Sequence, residues 1–342
     1  MQTTHRIQAK SRWWMIAVWL GVLLLLLVSQ IPRLPLILPN LGNKVSTFAT
    51  VFLGIFIEAI PFLLLGTLGS GFVEAFLDQS QIQRVIPRGR LTGALSGSLL
   101  GMVFPVCECG VVPLTRRLFN KGLPVAAGIA FLLAAPVLNP IVILSTASAF
   151  GWGWMLAGRV GLSMLIAVTV GLLFSVVRSP AEILRPESLT LRSTGSSQEL
   201  HPPRQTFRTR LHRMTVIAAD EFLEMGRFLI LGATLAAGMQ AFIPQQALVQ
   251  VGRGPVISVL VMMGLAVLLS ICSTVDAFVA LGFVSIFSPG AILAFLIFGP
   301  MVDIKTTLMY LSVLKKRSVV YLILLPFLMS LLAGVLLNLV VV

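Results

Sequence analysis

The chain has 342 residues, of which 57% are hydrophobic and 11% charged, and its mean hydropathy is +0.99. Those values lie far from a soluble globular domain and identify an integral membrane protein whose first partner is the lipid bilayer. Lys and Arg outnumber Asp and Glu by 25 to 12, but the basic residues cluster between apolar runs, so they record topology and no nucleic-acid partner is expected.

Apolar runs of about 20 residues or more, the length that spans a bilayer, fall near 13–31, 48–76, 91–118, 124–149, 153–177, 215–243, 255–287, 291–313 and 318–342. The first follows Arg6, Lys10 and Arg12 and runs on into SQIPRLP with no small-x-small cleavage site. It reads as a retained anchor helix within a segment 1–47 that holds a cytoplasmic tail, the anchor and an outer loop. Trp13, Trp14, Trp152 and Trp154 stand at run ends and read as interfacial anchors.

The rest of the chain divides in two. The stretch from Glu58 to Phe76, EAIPFLLLGTLGSGFVEAF, matches EMGRFLILGATLAAGMQAF from Glu224 to Phe242 at an offset of 166. Glu58 falls on Glu224 and Gly66 on Gly232. Farther on, FPVC ending at Cys107 aligns with LSIC ending at Cys272, and APVLNP (135–140) with GPMVDI (299–304), which sets Asn139 opposite Asp303. Landmarks repeating in one order define a first transmembrane repeat, 48–177, and a second, 215–342. Between them, 178–214 is polar, rich in Pro and Ser and strongly basic, and reads as a cytoplasmic linker. His201 and His212 lie in it without Cys or His partners, so no metal site is expected there.

The charge distribution orients the repeats. If every run crossed once, 10 basic residues would face the cytoplasm and 12 the outside, against the positive-inside rule. If 91–118 and 255–287 are instead re-entrant hairpins turning at their cysteine motifs, 19 face inside and 3 outside. The expectation is therefore an all-α polytopic membrane protein of two inverted repeats with broken or re-entrant helices carrying Cys motifs. It is multi-pass in the cytoplasmic (inner) membrane, its N-terminus is cytoplasmic, and its site lies where the broken helices meet.

The motifs fit that placement. FPVCECGVVP (104–113) sets two prolines and a glycine in an apolar run, so it should be a loop between two half-helices. Such backbone is tolerated at membrane depth only where protein buries it or it lines a cavity. APVLNP has the same character around Asn139 and Pro140. Cysteines in membrane segments are usually packing residues. Here Cys107 and Cys109 flank Glu108, Cys272 holds the repeat-equivalent position, and three thiols would suit a soft cargo. Ionisable groups in apolar segments are functional candidates by default. Cys107, Glu108, Cys109, Cys272, Asn139, Pro140 and Asp303 are the candidate substrate-binding residues, and Glu58, Glu224 and Asp276 the candidate proton-relay or gating carboxylates. Arg227, three residues beyond Glu224, is expected to neutralise it. Asp220 and Glu221 are expected at the start of a helix, where its dipole favours them. No cofactor and no ATP-binding motif is indicated, and homo-oligomerisation is compatible with the pattern.

FPVCECGVVPL, a basic turn and then APVLNPIVI resemble a family of bacterial predicted permeases that includes the organoarsenical efflux permeases. The likeness runs from about 48 to 342 and rests on the CECG motif and the downstream Pro-Asn-Pro segment. It implies an inner-membrane permease rather than an enzyme, with trivalent organoarsenicals as the cargo of some members. On the residues themselves, the leading reading is a secondary transporter of a small solute or metalloid, driven by protons. The runner-up is a membrane thiol oxidoreductase using Cys107 and Cys109 as a redox pair; it lacks any accompanying thioredoxin-like pattern.

Overall fold

The computed structural model describes residues 39–76, 86–87, 89–104, 106–176, 180–185, 207–242 and 254–341. The expected anchor helix at 13–31, Pro105, His201 and most of the linker lie outside the described residues. Among those residues the secondary structure is helical, with one isolated bridge between Leu184 and Leu314. The helices are α1 (Pro39–Phe76), α2 (Arg90–Val103), α3 (Glu108–Asn120), α4 (Val125–Leu138), α5 (Pro140–Phe150), α6 (Trp154–Phe174), the single turn α7 (Pro180–Ile183), α8 (Phe207–Phe242), α9 (Ile257–Leu269), α10 (Asp276–Leu281), α11 (Pro289–Met301), α12 (Ile304–Val313) and α13 (Lys316–Val341).

Among the described residues, six segments are long and apolar enough to cross a membrane: Gly42–Phe76, Val125–Phe150, Trp154–Phe174, Phe207–Ala241, Pro289–Val313 and Lys316–Val340. The protein is thus an all-α polytopic membrane protein. By contrast α2, α3 and α9, with 14, 13 and 13 residues, each rise only about 20 Å, short of a hydrocarbon core about 30 Å thick.

The order of elements recurs. A long helix, a pair of short helices around a break, a span broken near its middle and an unbroken span follow one another in α1–α6 and again in α8–α13. The two broken spans, α4–α5 and α11–α12, form the centre. Every residue of α4 is buried, and all but two of α11, as expected for helices apolar on all sides. The other spans wrap them and present Leu64, Leu165, Leu235, Leu332 and similar side chains outward, where lipid replaces water as the solvent.

Glycines set helix directions. A Cβ on Gly97 of α2 would collide with the Ala127 carbonyl of α4, and one on Gly101 would lie 2.8 Å from the Ala135 nitrogen. The two helices therefore run parallel in close contact. The start of α4 follows the end of α3 through the turn Lys121–Pro124, so the beginning of α2 and the end of α3 share one end of the bundle. In the second half, the Ser258 and Ser288 hydroxyls meet at 2.9 Å and a Cβ on Gly299 would touch Ala266, so α9 and α11 are likewise parallel. There the beginning of α9 and the segment leading into α11 share an end.

That first end carries the basic residues. The Lys121 ammonium donates to the Glu74 carbonyl at 2.8 Å, which brings the end of α3 to the end of α1. Arg213, in the first turns of α8, lies 3.8 Å from the Glu74 carboxylate. After α6, residues 183–185 pair with 313–315 through Arg185 N–H to Val313 O (3.0 Å) and Lys315 N–H to Ile183 O (2.8 Å). Lys315, Lys316 and Arg317 thereby join the same end.

Candidate functional site

The first break is narrower than the sequence suggests. The chain is extended at Phe104, and Cys107 caps α3, its carbonyl accepting from Gly110 N–H (3.1 Å) and Val111 N–H (3.0 Å). Glu108, Cys109, Gly110 and Pro113, expected in a loop, lie inside the helix. Pro113 is accommodated because it deletes one ladder bond only, the one its N–H would have made to the Cys109 carbonyl. Gly110 is required by contact: it packs backbone to backbone against Gly66 of α1, and a Cβ on Gly66 would fall onto it.

The second break runs from Ser270 to Val275. Ser270 is left-handed at φ 47° and ends α9. The two broken spans also interrupt at capped positions. Asn139 Oδ1 accepts from Val142 N–H at 3.0 Å, and Asp303 Oδ1 accepts from Thr306 N–H at 2.6 Å, so the aligned Asn139 and Asp303 are both N-caps. Each cap region is tied to the neighbouring short-helix break of its own half. Asn139 Nδ2 donates to the Val106 carbonyl at 3.4 Å, and Ile304 N–H donates to Ser270 Oγ at 3.4 Å. Pro140 follows as the first residue of α5 and is exposed.

These breaks converge on Glu108, which is 1% exposed. Lys305 Nζ stands 3.5 Å from Glu108 Oε1 and 3.3 Å from Asp303 Oδ2. Ser273 Oγ donates to Glu108 Oε2 at 3.4 Å, and the Cys272 thiol lies 3.9 Å from the same oxygen. Thr274 Oγ1 donates to Glu58 Oε1 at 3.4 Å, and the Cys107 and Cys109 side chains contact each other. The structure therefore brings Cys107, Glu108, Cys109, Cys272, Asp303 and Glu58 into one neighbourhood. All three cysteines are free thiols. Among the described residues, no group of three or more His, Cys, Asp or Glu side chains is placed to hold a metal ion.

The electrostatics are unusual. Glu108 occupies the first turn of α3, where the helix dipole favours an anion, but Lys305 occupies the first turn of α12, where it disfavours a cation. Asp303 and Glu108 offset that cost. Their 3.3–3.5 Å separations exceed the 2.7–2.9 Å of a good charge-assisted hydrogen bond, so the centre is loosely tied.

Two tighter ionic groups flank it. Arg116 of α3 donates to both Glu224 oxygens at 3.1 and 3.0 Å and lies 3.4 Å from Glu221, while Arg117 donates to Glu221 at 2.6 Å. Arg159 of α6 holds Asp276 through two bonds of 2.9 and 2.6 Å and donates to Thr146 Oγ1 at 2.9 Å. Glu224 and Asp276 are thus ion-paired away from the Glu108 centre. Glu224 is held by Arg116 of a distant helix, a cation that the expectation for Arg227 does not include. Glu221 also departs from expectation. Because α8 begins at Phe207, Glu221 lies mid-helix, buried and paired, and the helix dipole does not explain it.

Arg116, Arg159, Lys305, Glu221 and Ser273 join the site beyond the candidate residues of the sequence motifs. A cation inside an apolar segment was the available signal for Arg159 and Lys305. Ser273 had none.

Residues 44–339 match the model of a family described as predicted permease. The chain belongs to that family. This permease is 43% identical over 275 residues to UPF0718 protein YcgR of Bacillus subtilis, covering 80% of the present chain and 91% of the relative. It is 35% identical over 281 residues to a putative two-component membrane permease complex subunit of Streptococcus mutans, covering 82% and 91%. UPF0718 protein YraQ of Escherichia coli is 24% identical over 143 residues, 40% of each chain. No solved structure matches the permease. Family membership and six membrane-length helices support a multi-pass membrane permease, a transporter rather than an enzyme.

Proposed function

We propose that this permease is a secondary transporter in which a small solute passes the Glu108 centre as two inverted repeats, 48–177 and 215–342, rock against each other. The observation that carries the reading is the meeting of Glu108 from one half with Lys305, Cys272 and Ser273 from the other at 3.4–3.9 Å. Buried ionisable groups held this loosely can change partners as the halves move. The recurring element order and the two parallel helix pairs support the inverted repeats and the re-entrant hairpins. With the basic end taken as cytoplasmic, the positive-inside rule is obeyed.

Protons are the proposed driver. Glu58, Glu108 and Asp303 outnumber Lys305 in the same neighbourhood, and a membrane interior disfavours the surplus negative charge unless protons or cargo offset it. The proposed cargo is a soft, thiol-reactive species such as a trivalent organoarsenical, supported by Cys107, Cys109 and Cys272 around a carboxylate and by the CECG resemblance. The Streptococcus relative's name suggests that a second membrane component joins the permease.

The test is flux in proteoliposomes loaded with a pH-sensitive dye. Addition of a trivalent methylarsenical should cause solute-dependent proton movement that Cys107→Ser abolishes. Absence of both flux and pH change sinks the transporter reading. Flux unaffected by Cys107→Ser, Cys109→Ser and Cys272→Ser sinks the thiol contact alone.

A further inference from the structure

The Arg116 and Arg159 clusters join the two halves at different places. Arg116 and Arg117 belong to α3 in the first half, and their carboxylates, Glu221 and Glu224, to α8 in the second. Asp276 opens α10 in the second half, and its partners Arg159 and Thr146 lie on α6 and α5 in the first. Each broken short-helix pair is thereby fastened to the opposite half by an arginine.

The fasteners also lie on opposite sides of the centre. From the Val106–Asn139 contact, α3 runs to the basic end and reaches Arg116 after about two turns. From the same contact α5, continuing the direction of α4, runs to the other end and reaches Thr146 after about two turns. Each contains a tight pair where the centre has none: 2.6 Å for Arg117 to Glu221, beside Arg116 at 3.0 Å from Glu224 and 3.4 Å from Glu221, and 2.6 Å for Arg159 to Asp276, against 3.3 Å or more at Lys305. Arg116, Glu221, Arg159 and Asp276 are all nearly fully buried, and Arg159 Nε has no hydrogen-bond partner among the described residues. A buried ion pair of this kind contributes little net stability but is costly to break on one side only, which suits an element with two discrete states.

We propose that these clusters are the two gates of the permease. Arg116 with Glu221 and Glu224 closes the path from the basic end to the thiols, and Arg159 with Asp276 and Thr146 closes it from the other end. Cargo enters by release of one while the other holds. Arg116 and Arg159 are positioning residues and do not touch the cargo.

The three native cysteines report on both gates, because Cys107, Cys109 and Cys272 are buried, at most 3% exposed. The experiment is labelling of the full chain by a membrane-impermeant maleimide in right-side-out and in inside-out vesicles, counted by intact mass. The wild type should label slowly in both. Arg116→Gln should speed labelling roughly tenfold or more from the basic end only. Arg159→Gln and the milder Asp276→Asn should do so from the opposite end only, and Arg116→Lys and Arg159→Lys should return the slow rate. The gates are overturned by labelling that speeds from the same face in both variants, from both faces at once as in a collapsed fold, or from neither.

The inference rests on the permease reading, and cargo flux measured in the same vesicles separates the two. One-faced labelling without wild-type flux removes the transporter and leaves the gates. Wild-type flux with unchanged or two-faced labelling removes the gates.

Discussion

Glu108 opens α3, Lys305 lies in the first turn of α12, and their charged groups meet at 3.5 Å with Asp303 on the other side of the ammonium. A lysine at a helix N-terminus inside a membrane is unfavourable twice over, through the dipole and through desolvation. It persists because two carboxylates share it. Replacing Lys305 with Met should leave Glu108 and Asp303 facing each other without a cation and destabilise the protein by about 3–5 kcal/mol, the usual cost of removing one partner of a buried pair. The double variant Lys305→Met with Glu108→Gln should recover much of that loss without recovering transport. Thermal unfolding in detergent checks the first statement and flux the second. Equal melting temperatures for the wild type and Lys305→Met would contradict the account.

The close helix contacts give a second prediction. Gly66 and Gly232 are aligned in the two halves, and both abut the start of a half-helix: Gly66 meets the Gly110 backbone and Gly232 the Lys305 backbone, 2.7 Å from where a Cβ would lie. Gly232→Ala and Gly66→Ala should each cost about 1–3 kcal/mol by overpacking and displace the Glu108–Lys305 contact, lowering flux. Gly69→Ala and Gly238→Ala have open space around the new methyl and should be silent in both assays.

Much of this arrangement is legible in the sequence, and the parts that are not have physical reasons. Composition and apolar run length give an all-α membrane protein because burial in lipid constrains whole segments. The internal match places Asn139 opposite Asp303, and both prove to be caps, since a helix restarting at membrane depth needs a side-chain acceptor in either half. The ion pairs were hidden because they join residues more than a hundred positions apart, as Arg116 to Glu224 and Arg159 to Asp276 do. An i to i+3 rule sees only Arg227. Glu221 departs from the helix-start expectation for a related reason. Helix α8 starts in the basic end of the linker at Phe207, whose polar RTRLHR stretch carries no apolar periodicity.

The outlying charges at the basic end should behave differently from the buried ones. Glu74 is partly exposed and stands 3.8–4.0 Å from Arg213, Lys121 and Arg117, at the limit of ion-pair contact. Glu74→Gln should change stability by no more than about 1 kcal/mol, and less in high salt. Glu221→Gln, which removes the buried partner of Arg116 and Arg117, should cost several times more and be insensitive to salt. Melting temperatures of both variants at low and high ionic strength decide this; a shared salt dependence would mean that the buried cluster is hydrated.

The two caps allow the sharpest separation of scaffold from site. Asn139 and Asp303 perform the same backbone task, but only Asp303 also faces a cation, at 3.3 Å from Lys305. Exchanging amide for acid therefore has unequal consequences. Asn139→Asp keeps an acceptor for the Val142 N–H but puts a buried carboxyl where the amide donated to the Val106 carbonyl, so stability should fall by about 1–3 kcal/mol, the cost of an unsatisfied buried group. Asp303→Asn keeps the Thr306 cap but halves the negative charge around Lys305, leaving Glu108 as its remaining ion-pair partner. The protein should stay folded with little loss of melting temperature, while flux falls steeply and its dependence on external pH changes. Alanine at either position removes the cap and should cost about 0.5–2 kcal/mol. If Asn139→Asp and Asp303→Asn reduced flux to the same extent with the same pH profile, Asp303 would be a cap alone and the Lys305 centre would lose its second carboxylate.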